Sequence, residues 1–371
     1  MLLIVGGVTL VVLSFYFPDW QILLLSIAPV SFSFVATLGT MGFPGLPLSI
    51  PSLMLAPLIM GLGLEQGLYL VRSFQRYGSA PDPSSDAFRV TILVRSITTQ
   101  IAFGSLLFSE HAVLRDAGVS TFLGIFYVTA GAFGIVPPVL RFLFAASETP
   151  LPPVPAGSKQ HRLLALRGYR HLEPYPRLFA RFKILMDPMF HRLADFVKPG
   201  WKMIDVGCGH RVPATWLLAI YPDQRFLACD PDEDRARVAA KVLGKKGEVL
   251  QCRALDLPLD DERADAILLL DVLHYFSDAE FREFLGRVRP VLSPAGRLII
   301  RVTIPGEGFR LFHFVEEVTL RLREVKHYFK RPEPLVRILE DADFKVELVE
   351  PTAPRREETW FIAPVGDSGA L

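Results

Sequence analysis

The sequence predicts two kinds of structure in one chain: an all-α membrane domain of about five transmembrane helices, then an α/β domain on a doubly wound parallel sheet of about seven strands. Three observations predict it. Half of the 371 residues are hydrophobic and the mean hydropathy is positive, which is unusual for a soluble enzyme. Apolar stretches of near-spanning length crowd the first 145 residues. Beyond Pro199 the pattern changes to short apolar runs alternating with segments of helical period.

The apolar stretches run at about 2–17, 21–43, 49–71, 90–108 and 119–145, the first being the shortest. The longest polar interruption, 72–89, carries Arg72, Arg76 and Arg89, and the chain after Arg141 is also basic. The positive-inside bias therefore places both on the cytoplasmic side of a multi-pass inner (cytoplasmic) membrane protein, with the second domain in the cytoplasm. The first apolar run lacks a basic leader and is followed by further apolar runs, so it reads as a span and not as a cleaved signal.

The expected domains are 1–146 in the membrane, a proline-rich linker at 147–160, a helical cap at 161–198 and the α/β domain at 199–371. The cap mixes aromatic, basic and apolar residues (Tyr175, Arg177, Phe179, Arg181, Phe182, Lys183). Helices packed on the sheet explain that mixture, and a membrane-surface contact is the other reading. Strands are expected at 203–206, 226–229, 249–252, 266–270, 297–302, 345–349 and 359–363, with helices at 214–220, 234–242 and 279–291 between them.

The 40 basic and 39 acidic residues leave a net charge of +1, so no overall field points to nucleic acid, and no basic face or recognition domain does either. Cys208, Cys229 and Cys252 match neither a zinc site nor a disulfide framework, and no metal site is expected.

The chemistry gathers where strands end. Asp205-Val206-Gly207-Cys208-Gly209 runs from a strand into a glycine turn and then a helix, where absent side chains let backbone amides approach a ligand. Asp230 ends the next strand about twenty residues later, where a carboxylate can accept both hydroxyls of a ribose. Because Asp230 precedes Pro231 and a helix, it could instead be that helix's N-cap.

In this order the blocks resemble class I S-adenosylmethionine-dependent methyltransferases, most like the small-molecule "type 11" group, over the whole second half of the chain. The resemblance implies a Rossmann-like methyltransferase sheet and S-adenosylmethionine as cofactor. Asp205, Gly207, Cys208 and Gly209 match the loop for the methionine part, and Asp230 with Pro231 the ribose site. Asp256 and Leu257, in Leu255-Asp256-Leu257-Pro258-Leu259, match the loop that meets the adenine. Asp271, in Leu270-Asp271-Val272-Leu273-His274-Tyr275, lies beside the transferred methyl and shapes the pocket, and His274 could be a general base for a substrate hydroxyl. Leu292 to Arg297 match the turn into the fifth strand and Asp341 to Lys345 the turn into the last hairpin, and 309–329, dense in aromatics, sits where the family elaborates a substrate lid.

Two positions depart from the family. Arg211 stands where a third glycine is usual, a bulky residue in a loop meant to hug a ligand, and Arg253 stands where an acid usually meets the adenine.

In the membrane half, Glu65 lies within the third apolar run, and a charge there is a default functional candidate. Its surroundings, 61–69, and the later 109–118 resemble the C-terminal transmembrane part of resistance-nodulation-division exporters of lipids and hydrophobes. The resemblance implies a proton relay through Glu65, and it leaves three readings of the missing exporter half: a separate chain supplies it, the sequence belongs to a longer fusion, or the segment is a remnant serving as an anchor. Arg95 is expected to snorkel toward the cytoplasmic side. Together these expectations describe a membrane-anchored methyltransferase with a small hydrophobic acceptor, lipid or polyene-like. The alternative is an exporter fragment whose methyltransferase domain is regulatory.

Overall fold

The computed structural model describes residues 7, 11, 14, 19–43, 45, 50–77, 83–143, 154–259, 263–304, 328, 331–354 and 356–366. The chain divides into two compact units, residues 1–150 with 171–174, and residues 151–170 with 175–371.

Among the described residues the first unit holds four long helices, α1 (Trp20–Gly42), α2 (Ile50–Tyr77), α3 (Pro83–Gly104) and α4 (Ala112–Leu143). Three stretches among them are long and apolar enough to cross a membrane: Trp20–Gly42, Ser85–Phe108 and Ala112–Leu143. The expected span at 2–17 lies almost wholly outside the described residues. The expected polar loop at 72–89 is shorter than its composition suggests. Helix α2 carries on through Arg72 and Arg76, and α3 already starts at Pro83, a residue suited to a first turn, with Asp86 behind it at the dipole's positive end. Small residues let the helices close on one another. A Cβ on Gly67 would stand 2.5 Å from the Ser26 carbonyl oxygen, and one on Gly124 2.5 Å from Ile59.

The second unit opens with two helices, α5 (Lys159–Arg167) and α6 (Pro174–Met186). Ser158 caps α5 by accepting from the His161 amide at 3.1 Å. There follow β1 (Lys202–Val206), α7 (Val212–Ile220), β2 (Arg225–Cys229), α8 (Glu233–Leu243), β3 (Gly247–Leu250), β4 (Ala264–Leu270), α9 (Asp278–Val288), β5 (Leu292–Thr303), α10 (Pro332–Glu340), β6 (Leu348–Pro351) and β7 (Glu358–Pro364).

The seven strands form one sheet in the order β3-β2-β1-β4-β5-β7-β6. The first five are parallel, and the centre is apolar on both faces: Ile267, Leu268, Leu269, Leu298, Ile299 and Ile300 are all buried. The parallel order ends at a hairpin, where β7 runs antiparallel between β5 and β6. Only residues 352–357 join β6 to β7, too few for the crossover that a parallel neighbour needs. The sixth strand, Leu348–Pro351, overlaps the expected 345–349, and Lys345 and Glu347 before it already donate backbone bonds to the Pro364 and Ile362 carbonyls of β7. From β1 the chain winds to one edge through β2 and β3, then returns to the middle at β4. The strand order reverses between β1 and β4, so a crevice opens at their carboxyl ends.

Candidate functional site

A cavity of about 390 Å³ occupies that crevice. Gly207, Asp230, Asp271 and Val272, from the ends of β1, β2 and β4, form its floor and walls, with Pro231, Ala254 and Leu255 beyond them. Its volume lies within the ~300–1,000 Å³ usual for small-molecule sites.

The first loop owes its path to left-handed backbone. Gly207 has φ +64°, and a Cβ there would sit 3.0 Å from Val272 across the cleft. The turn is then tied to β2 twice: the Cys208 amide donates to the Cys229 carbonyl at 3.0 Å, and the Gly209 amide donates to Asp230 Oδ2 at 2.8 Å. The other oxygen, Oδ1, accepts from the Asp232 amide at 3.0 Å. Asp230 does not cap α8. That role belongs to Asp232, which accepts from the Arg235 amide. A carboxylate has about four acceptor sites, so Asp230 keeps a lone pair on each oxygen for a diol in the cleft.

Asp205 is buried one residue before the end of β1. Burial pushes its carboxyl up to about 6; Arg211 opposes the shift and Asp230 adds to it. Its Oδ2 makes no hydrogen bond among the described residues, but Asp205 does not line the cavity; Oδ1 of Asp271, which does line it, likewise makes none. An orphaned acceptor in the cleft wall suits a cationic group, and S-adenosylmethionine carries an ammonium and a sulfonium. With the Asp230 diol site and the open Gly207 turn, the residues present fit that cofactor.

Arg211 corrects the sequence expectation. It holds φ +65° as the residue before α7, but its side chain is fully buried, with the guanidinium 4.6 Å from the Phe226 ring centroid, and it does not line the cleft. The missing glycine therefore costs backbone strain and leaves the ligand space open. Cys208 and Gly209 shape the loop without lining the cavity, whereas Cys229 lines it. Burial pushes the Cys208 thiol up, and the Cys229 thiol up to about 12, so both stay protonated.

At the opposite end Arg253 lines the cleft and pairs with Glu280 at 3.2 Å. Glu280 also closes a capping box with Ser277 at the start of α9. Its hydrogen bonds from the Ser277 amide and hydroxyl hold it below the usual carboxylate range, with Arg253 assisting. Asp256 and Leu257 do not stand where the adenine loop predicts. A 3₁₀ turn at Ala254–Asp256 leaves Asp256 exposed and sends Leu257 into the core, while Ala254 and Leu255 face the cleft. His274 likewise lies outside the described lining. Its ring packs 4.1 Å from that of Tyr275, and it is Tyr275 and Phe276 that line the cavity. The expected lid at 309–329 lies almost wholly outside the described residues.

Sequence reading missed a buried ion cluster behind Asp271. Asp271 has φ +59° and its Oδ2 accepts from Lys183 Nζ at 3.0 Å and Arg301 Nη1 at 2.8 Å. Arg301, 1% exposed on β5, also clasps Asp187 with Nη1 and Nη2, each at 2.9 Å. Lys183 completes the ring at 2.8 Å from Asp187. Burial alone would lower the Lys183 amine, yet Asp271 and Asp187 hold it above its ordinary value. Burial would raise Asp187, yet Lys183 and Arg301 hold it below. The available signal was Arg301, an arginine flanked by Leu298, Ile299, Ile300 and Val302 in an apolar strand.

In the first unit a separate cavity of about 340 Å³ is lined by Leu62, Glu65, Gln66, Tyr69, Ile92 and Arg95 among others. Arg95, expected to snorkel away, instead pairs with Glu65. A charged side chain within an apolar span is costly without an opposite charge, which favours the pair. Gln66 Nε2 donates to Ser96 Oγ at 2.9 Å, linking α2 to α3. No group of side chains suited to a metal ion occurs among the described residues.

Residues 204–300 match the family model described as "Methyltransferase domain". The chain is 30% identical over 138 residues to "Probable tRNA methyltransferase 9B" of Mus musculus, covering 36% of this chain and 28% of that one. It is 31% identical over 98 residues to "Fatty-acid O-methyltransferase" of Mycolicibacterium smegmatis, covering 26% and 35%. The chain thus spans about a third or less of these curated relatives. Among solved structures, one titled as a SAM-dependent methyltransferase from Aquifex aeolicus aligns with TM-score 0.39 and 23% identity over 54% of this chain and 98% of that one. The matched residues are an S-adenosylmethionine-dependent methyltransferase domain.

Proposed function

We propose that the chain is a membrane-anchored methyltransferase that transfers a methyl group from S-adenosylmethionine to a small hydrophobic acceptor, lipid or polyene-like. The observation that carries the reading is the convergence of Gly207, Asp230 and Asp271 on one cleft at the strand-order reversal, in a chain that also has three helices of membrane-spanning length. When bound, S-adenosylmethionine supplies an electrophilic methyl on a sulfonium. The protein's part is to orient and to exclude water. Asp230 holds a diol, the Gly207 turn admits a ligand close to backbone, and the free acceptor on Asp271 balances positive charge, with Asp205 buried behind the loop. Tyr275 and Phe276 give the remaining wall aromatic surface.

The charge distribution supports a cytoplasmic location for the methyltransferase domain, since Arg72, Arg76, Arg89 and Arg141 flank the apolar stretches on one side. One curated relative is named for tRNA and another for fatty acid. The near-zero net charge and the apolar helices favour the second kind of acceptor. Calorimetry of the full chain in detergent with S-adenosylmethionine tests the first step, and transfer of labelled methyl to lipid extract or to bulk tRNA tests the second. Absence of cofactor binding by folded protein refutes the proposal, and label in tRNA alone refutes the acceptor class.

The exporter-fragment reading is favoured by the cavity around Glu65 and Arg95. It requires Glu65 to relay protons and a separate chain to complete the exporter. Under it, Glu65→Gln abolishes export of a hydrophobic product, whereas under the enzyme reading the same change leaves methyl transfer intact.

A further inference from the structure

Helix α6 has two faces. Pro176, Arg177, Ala180 and Ile184 are buried. On the opposite side Tyr175, Leu178, Phe179, Phe182, Leu185 and Met186 are between 38% and 69% exposed. At ~100° per residue these six occupy roughly a 120° arc, a continuous apolar stripe. Isolated exposed hydrophobics need no explanation, but a stripe of six on one helix does.

The same helix forms part of the rim of the cleft. The rings of Tyr175 and Phe179 pack against His210 in the first loop, at centroid distances of 5.6 and 5.1 Å. Lys183, on the flank of the stripe, reaches Asp271 in the cleft wall. Whatever covers the stripe therefore lies beside the cavity.

Charge decides among the possible occupants. Residues 159–186, which include α5 and α6, carry seven lysines and arginines against one acid, Glu173. A second copy of this face would bring basic surface against basic surface. A bilayer with anionic headgroups is complementary in both respects, taking the aromatic stripe into its interface and the basic residues at its surface.

We propose that the outer face of α6 docks on an anionic bilayer surface, so that an amphiphilic acceptor passes from the lipid directly into the cleft. The proposal deepens the enzymatic reading above and rests on it for the identity of the cleft.

The test uses the full chain in vesicles, with Phe182 replaced by the photoreactive p-benzoylphenylalanine. In mixed phosphatidylglycerol and phosphatidylcholine, irradiation gives lipid adducts at position 182. The same probe at Asp223, in the exposed turn before β2, gives none. The yield falls at least about fivefold in pure phosphatidylcholine, as expected where several basic residues meet the headgroups. Leu178→Glu with Leu185→Glu lowers it about tenfold while cofactor affinity, measured on the same sample, is unchanged. A crosslink from position 182 to a second copy or to this chain's own helices overturns the proposal. So does an absence of adducts, and equal yield in pure phosphatidylcholine overturns the assignment to an anionic surface. Loss of cofactor binding by the unmutated chain would instead refute the enzymatic reading, which the adducts do not measure.

Discussion

Replacing Arg301 by methionine keeps the apolar stem of the side chain but removes both bonds to Asp187 and the one to Asp271. Arg301 is 2% exposed as a side chain and Asp187 11%, so solvent screens this cluster little. After the change, two carboxylates share the single charge of Lys183. Removing one partner of a buried ion pair costs about 3–5 kcal/mol, because the charge left behind is uncompensated. For a domain of this size each kcal/mol lowers Tm by about 2–4 °C, so the shift is roughly 6–20 °C. Tryptophan emission is the assay, since Trp201, Trp216 and Trp360 lie in the α/β unit and Trp20 outside it.

The acid dependence gives a second handle. Asp187 has its folded pKa below the unfolded value, so its pairing stabilises above the ordinary carboxylate pKa and that stability is lost as pH falls through the lower, folded one. Lys183 is shifted the other way: its contribution is complete below the ordinary lysine value and is lost as pH rises through the higher, folded one. The gap between parent and Arg301→Met is therefore widest between about pH 4 and about pH 10, and it narrows in acid. Adding Asp187→Leu to Arg301→Met should recover part of the loss, since the stranded carboxylate goes too. A Tm within about 2 °C of the parent at neutral pH would refute the argument, since water would then be paying the solvation that Arg301 is said to provide.

Gly207→Ala should weaken S-adenosylmethionine about tenfold by calorimetry, because a left-handed alanine costs about 1–2 kcal/mol and its Cβ presses Val272. Asp230→Ala should weaken it more, on the order of a hundredfold, as it strands the Gly209 and Asp232 amides and removes the diol acceptors. Asp256→Ala should leave cofactor affinity within about twofold, since the side chain is exposed outside the cleft. By the same reasoning His274→Gln should lower kcat/KM no more than about threefold, and a larger loss would show that the ring reaches the acceptor. Iodoacetamide should modify Cys252 well before Cys208 or Cys229, as followed by peptide mass spectrometry, because the latter two thiols are buried and pushed upward.

What the sequence disclosed about the site divides by the range of the forces involved. The positions of Gly207 and Asp230 at the cleft were legible because backbone geometry at strand ends sets them, and a strand followed by a glycine turn announces itself locally. Asp256 was misplaced for the complementary reason: one 3₁₀ turn after β3 decides which of Leu255 and Asp256 faces the cleft, and apolar spacing does not encode that choice. Arg211 was placed in the right loop, but the direction of its side chain depends on Phe226, fifteen residues away on another strand. The ion cluster was hidden altogether, since Asp271 meets Lys183 across 88 positions and Arg301 meets Asp187 across 114. Here the packing gives the residues their meaning. Lys183 reads in sequence as one more basic residue of an amphipathic helix, yet in the fold it ties the rim helix α6 to the strand end that bears Asp271. That tie fixes the helix that presents the apolar stripe to the wall of the cleft.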